Sequence, residues 1–248
     1  MKIDCDYILT DIEGTTTSIS FVQDVLFPYF LSHINEIYLL SDMSEVKYIF
    51  GKVMRIVKKE ENKDITTSEE VIEQLKKWCK EDRKITQLKT LQGILWQKGY
   101  QSGELFGHIY DDVPIMLKNW ELLGKKMGVF SSGSVVAQKL LFSHSTKGDL
   151  STFFSHYFDT NTGHKRETDT YSLIANEISL PPNRILFLSD VVEELEAAEK
   201  AGLQTIQIKR EGNAQSWKQS VSDFSEIVLI YILIKKKTTS FSGLLKNQ

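Results

Sequence analysis

The stretch that most constrains this chain is Ile8-Leu9-Thr10-Asp11-Ile12-Glu13-Gly14-Thr15-Thr16-Thr17, an apolar run that breaks straight into two carboxylates, a glycine and three hydroxyls. Asp11 and Glu13 are two residues apart, so on extended backbone they point the same way. Gly14 lets the chain turn sharply or approach a ligand closely. The threonines offer hydroxyl and N–H groups suited to an anion. Together these groups suit phosphoryl transfer to an aspartate, which needs a carboxylate nucleophile, a nearby acid or base and an electropositive cradle. A strand ending in a polar turn would explain the decapeptide equally well, so the decision rests on the remainder of the chain.

The second half repeats this arrangement. Met127-Gly128-Val129-Phe130 is a short apolar strand followed at once by Ser131-Ser132-Gly133-Ser134, and Ile185-Leu186-Phe187-Leu188 runs directly into Ser189-Asp190. Helices are expected over Val113 to Leu123, Val135 to Phe142 with Ser134 as N-cap, Thr170 to Ile178, and Val192 to Ala201 capped by Gly202. A further strand covers Gln204 to Ile208. Strand and helix alternate, which predicts an α/β fold with a doubly wound parallel sheet and right-handed crossovers. In such sheets ligands bind beyond the carboxyl ends of the strands. Three strands ending in small polar or acidic residues follow that rule, which independent turns would have no reason to do.

Between about residue 31 and residue 107 the texture changes. Charged and apolar residues interleave at helical spacing and no strand run is evident. Val71, Ile72, Leu75 and Trp78 make one apolar face, with Thr67 or Ser68 followed by Glu69-Glu70 as a start signal. Leu88, Leu91, Leu95 and Trp96 make another, which Gly99 and Gly103 are expected to end. Lys58 to Asp64 reads as a charge-rich loop. The simplest organisation is a helical insertion, residues 20–109, in a core formed by residues 1–19 and 110–248.

Each polar group has a chemical task. Asp11 would attack phosphorus. Glu13 would protonate the leaving oxygen and later deprotonate water. Asp190, with an oxygen of Asp11, would hold Mg2+, a hard cation that takes oxygen ligands and keeps several waters. Ser131, its neighbouring N–H groups and the following helix N-terminus would bind phosphate oxygens, and Lys165 would add a point charge. Singly, an N-cap loop, a helix cap and a surface lysine would account for these residues. Acids outnumber bases 33 to 30, so no global basic excess points to nucleic acid. Cys5 and Cys79 have no metal-ligand spacing and read as free thiols of a reducing compartment. The acidic start, Lys2 to Asp6, argues against a secretory signal. Ile227 to Ile234, the longest apolar run, is too short to span a bilayer.

With these motifs in order, the chain resembles the haloacid dehalogenase-like phosphatase superfamily, with glutamate at position 13 where most phosphatases of that group carry aspartate. Asp-Ile-Glu-Gly-Thr-Thr-Thr resembles one branch closely, the enolase-phosphatases (acireductone synthases) of methionine salvage. Further stretches look like the same branch: Phe27-Pro28-Tyr29, Leu91-Gln92-Gly93 with Trp96, Ser131-Ser132-Gly133-Ser134-Val135, Gly163-His164-Lys165, Phe187-Leu188-Ser189-Asp190 and Gly212-Asn213-Ala214. The resemblance covers roughly residues 7 to 226. It implies a monomeric, cytoplasmic enzyme (also nuclear in a eukaryote) that needs Mg2+ and acts on a small-molecule phosphate. It would enolise 2,3-diketo-5-methylthiopentyl-1-phosphate and then dephosphorylate it to the acireductone. On this resemblance Asp11, Glu13 and Asp190 match metal-site positions, Glu13 through its backbone carbonyl. Ser131, Ser132 and Lys165 match substrate-binding positions, Lys165 also counting as catalytic, and the helical insertion matches a cap. Glu211 stands where the branch usually has proline, and the end beyond residue 227 is unlike it. A general small-molecule phosphatase of the same superfamily is the alternative. A dehalogenase suits Asp190 with Glu13 less well, and a mere phospho-ligand binder needs no nucleophile.

Overall fold

A run such as Tyr7 to Thr10 can be apolar at every position only if both faces of its sheet are covered, and both are. The computed structural model describes residues 2–210 and 216–230. In chain order it contains β1 (Lys2–Ile3), β2 (Tyr7–Thr10), α1 (Ile19–Phe21), α2 (Phe27–Leu39), α3 (Ser44–Glu61), α4 (Ser68–Lys80) and α5 (Thr86–Ser102). The second half adds α6 (Asp112–Leu122), β3 (Lys126–Phe130), α7 (Val135–Ser143), β4 (Phe154–Phe158), α8 (Thr168–Ile178) and β5 (Ile185–Ser189). It ends with α9 (Val192–Lys200), β6 (Gln204–Ile208), β7 (Ser220–Val221) and β8 (Val228–Leu229). A turn of π-helix, Val22–Leu26, joins α1 to α2.

Six strands form one parallel sheet in the order β4-β3-β2-β5-β6-β7, and β1 pairs with β8 apart from it. Successive side chains of a strand alternate between faces. Ile8, Leu186 and Leu188 accordingly enter one apolar cluster with Trp120 and Phe142, whereas Tyr7, Leu9, Ile185 and Phe187 enter another with Tyr171 and Leu195. β2 is central, so Asp11 leaves the sheet at mid-width, its N–H donating to Leu188 O at 2.8 Å.

A third cluster belongs to the helices between β2 and β3. Phe30 and Ile34 of α2 pack with Val53 of α3, Leu75 and Trp78 of α4, and Leu91 and Leu95 of α5. Thr67 caps α4 in a full capping box with Glu70. Two local expectations need correction. The helix α3 continues through Glu61 and stops at Asn62 (φ 50°), so Lys58 to Glu61 lie on a helix and not in a loop; Val57 buries on the same helix and carries its charged neighbours with it. Gly99 does not end α5. It lies within the helix, where a Cβ would stand 2.6 Å from the Tyr29 ring, and Gly103 (φ 76°) supplies the left-handed stop. Among the described residues no helix is long and apolar enough to cross a membrane. Gly212-Asn213-Ala214 and the second half of the run from Ile227 to Ile234 lie outside the described residues.

Candidate active site

Behind Asp11 the backbone folds into a tight loop. The N–H groups of Thr15, Thr16 and Thr17 all donate to Ile12 O, at 3.2, 2.9 and 3.0 Å. This corrects one sequence expectation, since those N–H groups are spent inside the loop and do not cradle an anion. Gly14 sits at φ 71°, and a Cβ there would stand 2.4 Å from Asp190 Oδ2, so the loop presses its bare Cα against that carboxylate. Arg210 clasps the loop from outside. Its Nε donates to Thr15 O at 3.0 Å while its two terminal nitrogens pair with Asp112 at 2.8 Å each.

Asp11, Glu13, Ser131, Ser132, Lys165 and Asp190 all line one cleft of about 260 Å³ at the carboxyl ends of β2, β3 and β5. Lys165 is only 5% exposed although it sits in a loop. Its Nζ lies 2.7 Å from Asp11 Oδ1 and 2.7 Å from Glu194 Oε2. Tyr171 pins the loop by donating its hydroxyl to Lys165 O at 2.7 Å. Burial alone would lower the Lys165 pKa, but the two carboxylates outweigh it and hold the ammonium charged. Asp11 Oδ1 also accepts the Ile12 N–H at 2.7 Å. That engagement leaves Oδ2 as the oxygen not committed to Lys165.

Glu194 was missed in the sequence. It lies one helical turn beyond Asp190, accepts from Ser189 Oγ at 2.9 Å, and completes a buried Asp11–Lys165–Glu194 chain. The available signal was an acid in the first turn of the helix that follows the Asp190 turn. Burial raises its pKa, Asp11 adds to the rise, and Lys165 only partly opposes it. Glu13 is likewise pushed upward, first by burial and then by Asp11. Two acids held ready to carry a proton, beside an aspartate locked to a lysine, suit acid–base work around a nucleophile.

The serine loop is tied down by hydrogen bonds. Ser131 N–H donates to Phe158 O at 3.2 Å, and Ser131 Oγ accepts from Gly133 N–H at 3.2 Å. Gln138 donates to Gly133 O and Phe158 O, each at 2.8 Å. Ser134 caps α7 by accepting from Ala137 N–H, so the N-terminus of that helix opens beside the serines. From the helical lobe, Lys89 Nζ donates to Ser132 O at 2.8 Å. An apolar chamber of about 80 Å³ adjoins the cleft, walled by Leu26, Phe27, Cys79, Leu88, Trp96 and Leu141. Trp96 is fixed there by donating Nε1–H to Leu26 O at 2.9 Å.

Among the described residues no three histidine, cysteine or acidic side chains form a closed cation cage. Mg2+ does not require one, being held by one or two carboxylates while keeping several waters. Asp11 and Asp190, both lining this cleft, are oxygen donors of that kind. The glycine that makes room for Asp190 is consistent with it.

No protein-family model matches the chain. Individual relatives do. Enolase-phosphatase E1 of Picosynechococcus sp. is 45% identical over 226 residues, covering 91% of this chain and 99% of the relative. Enolase-phosphatase E1 of Sulfurihydrogenibium sp. is 51% identical over 203 residues, covering 82% and 87%. The crystal structure of the UTR4 protein of Saccharomyces cerevisiae superposes with a TM-score of 0.75 at 31% identity, covering 90% of this chain and all of that one.

Proposed function

The chain belongs to the enolase-phosphatase E1 family, and from that membership we propose that it enolises 2,3-diketo-5-methylthiopentyl-1-phosphate and then hydrolyses the enol phosphate to the acireductone. The observation that carries this reading is the cleft itself. A lysine-bound aspartate, a second acid two residues on, and a serine loop at a helix N-terminus share its wall, with an apolar chamber opening beside it. A general phosphatase would have less use for an apolar-walled chamber next to its nucleophile.

In this reading Lys165 and the Ser131–Ser132 loop hold the phosphate oxygens, and Asp11 Oδ2 attacks phosphorus. Glu13 takes the carbon-bound proton during enolisation, protonates the leaving enol oxygen, and then activates water against the phospho-aspartate. Asp11, Asp190 and the backbone carbonyl of Glu13 would hold Mg2+, which when bound screens the repulsion between an anionic nucleophile and an anionic phosphate. The helices α2 to α5 act as a cap whose closure excludes water while the enol forms. The chamber walled by Leu88, Trp96 and Leu141 receives the methylthio end. The chain works as a cytoplasmic monomer.

The test is to incubate the protein with the diketo phosphate and Mg2+, following ultraviolet absorbance of the conjugated enol and release of phosphate together. A transient enol that precedes phosphate is expected. Phosphate release with no enol at any time would leave the general phosphatase in its place.

A further inference from the structure

The cleft and the apolar chamber have walls in common. Glu13, Asp82, Lys84, Ser131 and Ser132 line both. Lys165, Asp190 and Glu194 line only the cleft, whereas Cys79, Leu88 and Trp96 line only the chamber. A substrate with phosphate at one end and an apolar tail at the other must therefore lay its two adjacent carbonyls along the shared residues. Ionisable groups at that neck are Glu13 from the core and Asp82 and Lys84 from the loop between α4 and α5.

Three cations of the helical lobe, Arg83, Lys84 and Lys89, reach the chamber wall, and of these Lys84 also lines the cleft. Arg83 pairs with Glu60 at 2.8 Å and lies over the Trp78 ring. Lys89 donates to Ser132 O. Lys84 has Asp82 as its ion-pair partner, at 2.6 Å. Asp82 holds a left-handed backbone, φ 50°, an unusual conformation for a residue with a side chain. That turn follows directly on the end of α4 and brings both side chains to the neck.

We propose that Lys84 is a catalytic residue of the enolisation step, holding the substrate's C2 oxygen as charge develops on it, and that Asp82 is a positioning residue that holds the Lys84 ammonium there. This assignment rests on the enolase-phosphatase reading. The C1–H bond breaks and its proton goes to the neck carboxylate, Glu13. The C–H electron pair becomes the C1=C2 bond, and the π pair of the C2 carbonyl moves onto oxygen. That oxygen takes a proton from Lys84, which regains one from solvent water, so Glu13 keeps the carbon-derived proton for the leaving oxygen of the second step. Carbon has lost one proton and oxygen has gained one, with no oxidation or reduction. A preplaced cation at a developing oxyanion is worth on the order of 100-fold or more in rate. It does nothing comparable for attack on phosphorus, where Lys165 already serves.

The experiment uses the full chain with Mg2+ and two substrates, the diketo phosphate and the enol phosphate prepared beforehand. Stopped-flow absorbance reads enol formation, and a phosphate assay reads hydrolysis. In Lys84→Ala the ratio of enolisation rate to hydrolysis rate should fall by at least about 30-fold, and Lys84→Arg should recover part of it. Asp82→Asn should cost about tenfold in enolisation alone and nothing further in the Lys84→Ala background, because coupled residues are not additive. An unchanged ratio in Lys84→Ala would overturn the proposal, as would additive effects of the two substitutions. A wild-type protein that hydrolyses phosphate without forming enol would remove the underlying reading instead, an outcome visible before any variant is made.

Discussion

Gly14 and Asp190 approach so closely that a Cβ on the glycine would overlap the Asp190 carboxylate, 2.4 Å from its Oδ2. The contact ties the loop behind the nucleophile to the acid at the end of β5. Gly14→Ala meets that clash on a backbone at φ 71°, where a side chain itself costs on the order of 1 kcal/mol. The expected outcome is a fall of about 100-fold or more in phosphate release with only a few degrees lost in Tm. Assay and thermal melt on one preparation check it; near-normal turnover would show that the loop does not set the Asp190 position.

Asp11→Asn removes the nucleophile while keeping its shape. Phosphate release should be abolished and the enol absorbance should persist, because only the second step forms a bond to Asp11. Normal phosphate release from this variant would take the nucleophile assignment away.

Lys165 Nζ stands between two buried acids, Asp11 and Glu194. Lys165→Met leaves Asp11 and Glu194 facing each other without it, which should cost about 3–5 kcal/mol of stability at neutral pH. The Glu194 pKa is already raised by burial and by Asp11, so lowering the pH should protonate it first and relieve part of that cost. Denaturant melts at neutral and mildly acidic pH measure the difference. A variant equally destabilised at both would contradict the charge argument.

His108 sits where the chain returns from the helical lobe, and its Nδ1 accepts the Ser18 N–H at 3.1 Å beside Thr17 Oγ1 at 3.1 Å. The ring is therefore bonded in its neutral form. Burial lowers its pKa from 6.5, Asp111 opposes and Lys147 assists. The unfolded chain then binds more protons than the folded one between the lowered value and about 6.5, so stability rises with pH through that window and is lost as pH falls through the folded value. The Tm advantage of the wild type over His108→Gln should be full above pH 6.5 and shrink on acidification. A constant advantage would exclude His108 as the source.

Removing divalent cations addresses the donor set of Asp11 and Asp190. Excess chelator should stop phosphate release, and added Mg2+ should restore it. Full activity in chelator would remove Asp190 from its role.

Much of this site was legible because its signals are local. An apolar run of four with both faces covered, ending in Asp11 or Asp190, is written in adjacent residues, and so is the N-cap at Ser134, whereas the choice between Thr67 and Ser68 fell to the capping box with Glu70. Their order along the chain placed them at one end of one sheet. The threonine loop misled because composition shows hydroxyl and N–H groups but not where those groups already bond.

The sequence by itself determined the periods of the elements, the order of strands and helices, and the residue types at the strand ends, since each depends on neighbours a few positions apart. Only the tertiary structure decided that Glu194 shares Lys165 with Asp11, that Asp82 and Lys84 stand at the neck between cleft and chamber, and that Gly14 makes room for Asp190. Those relations join residues as far apart as Asp11 and Glu194, 183 positions, or depend on which way a buried side chain turns. Such choices are fixed by packing and electrostatics summed over the whole molecule, and no local pattern records them.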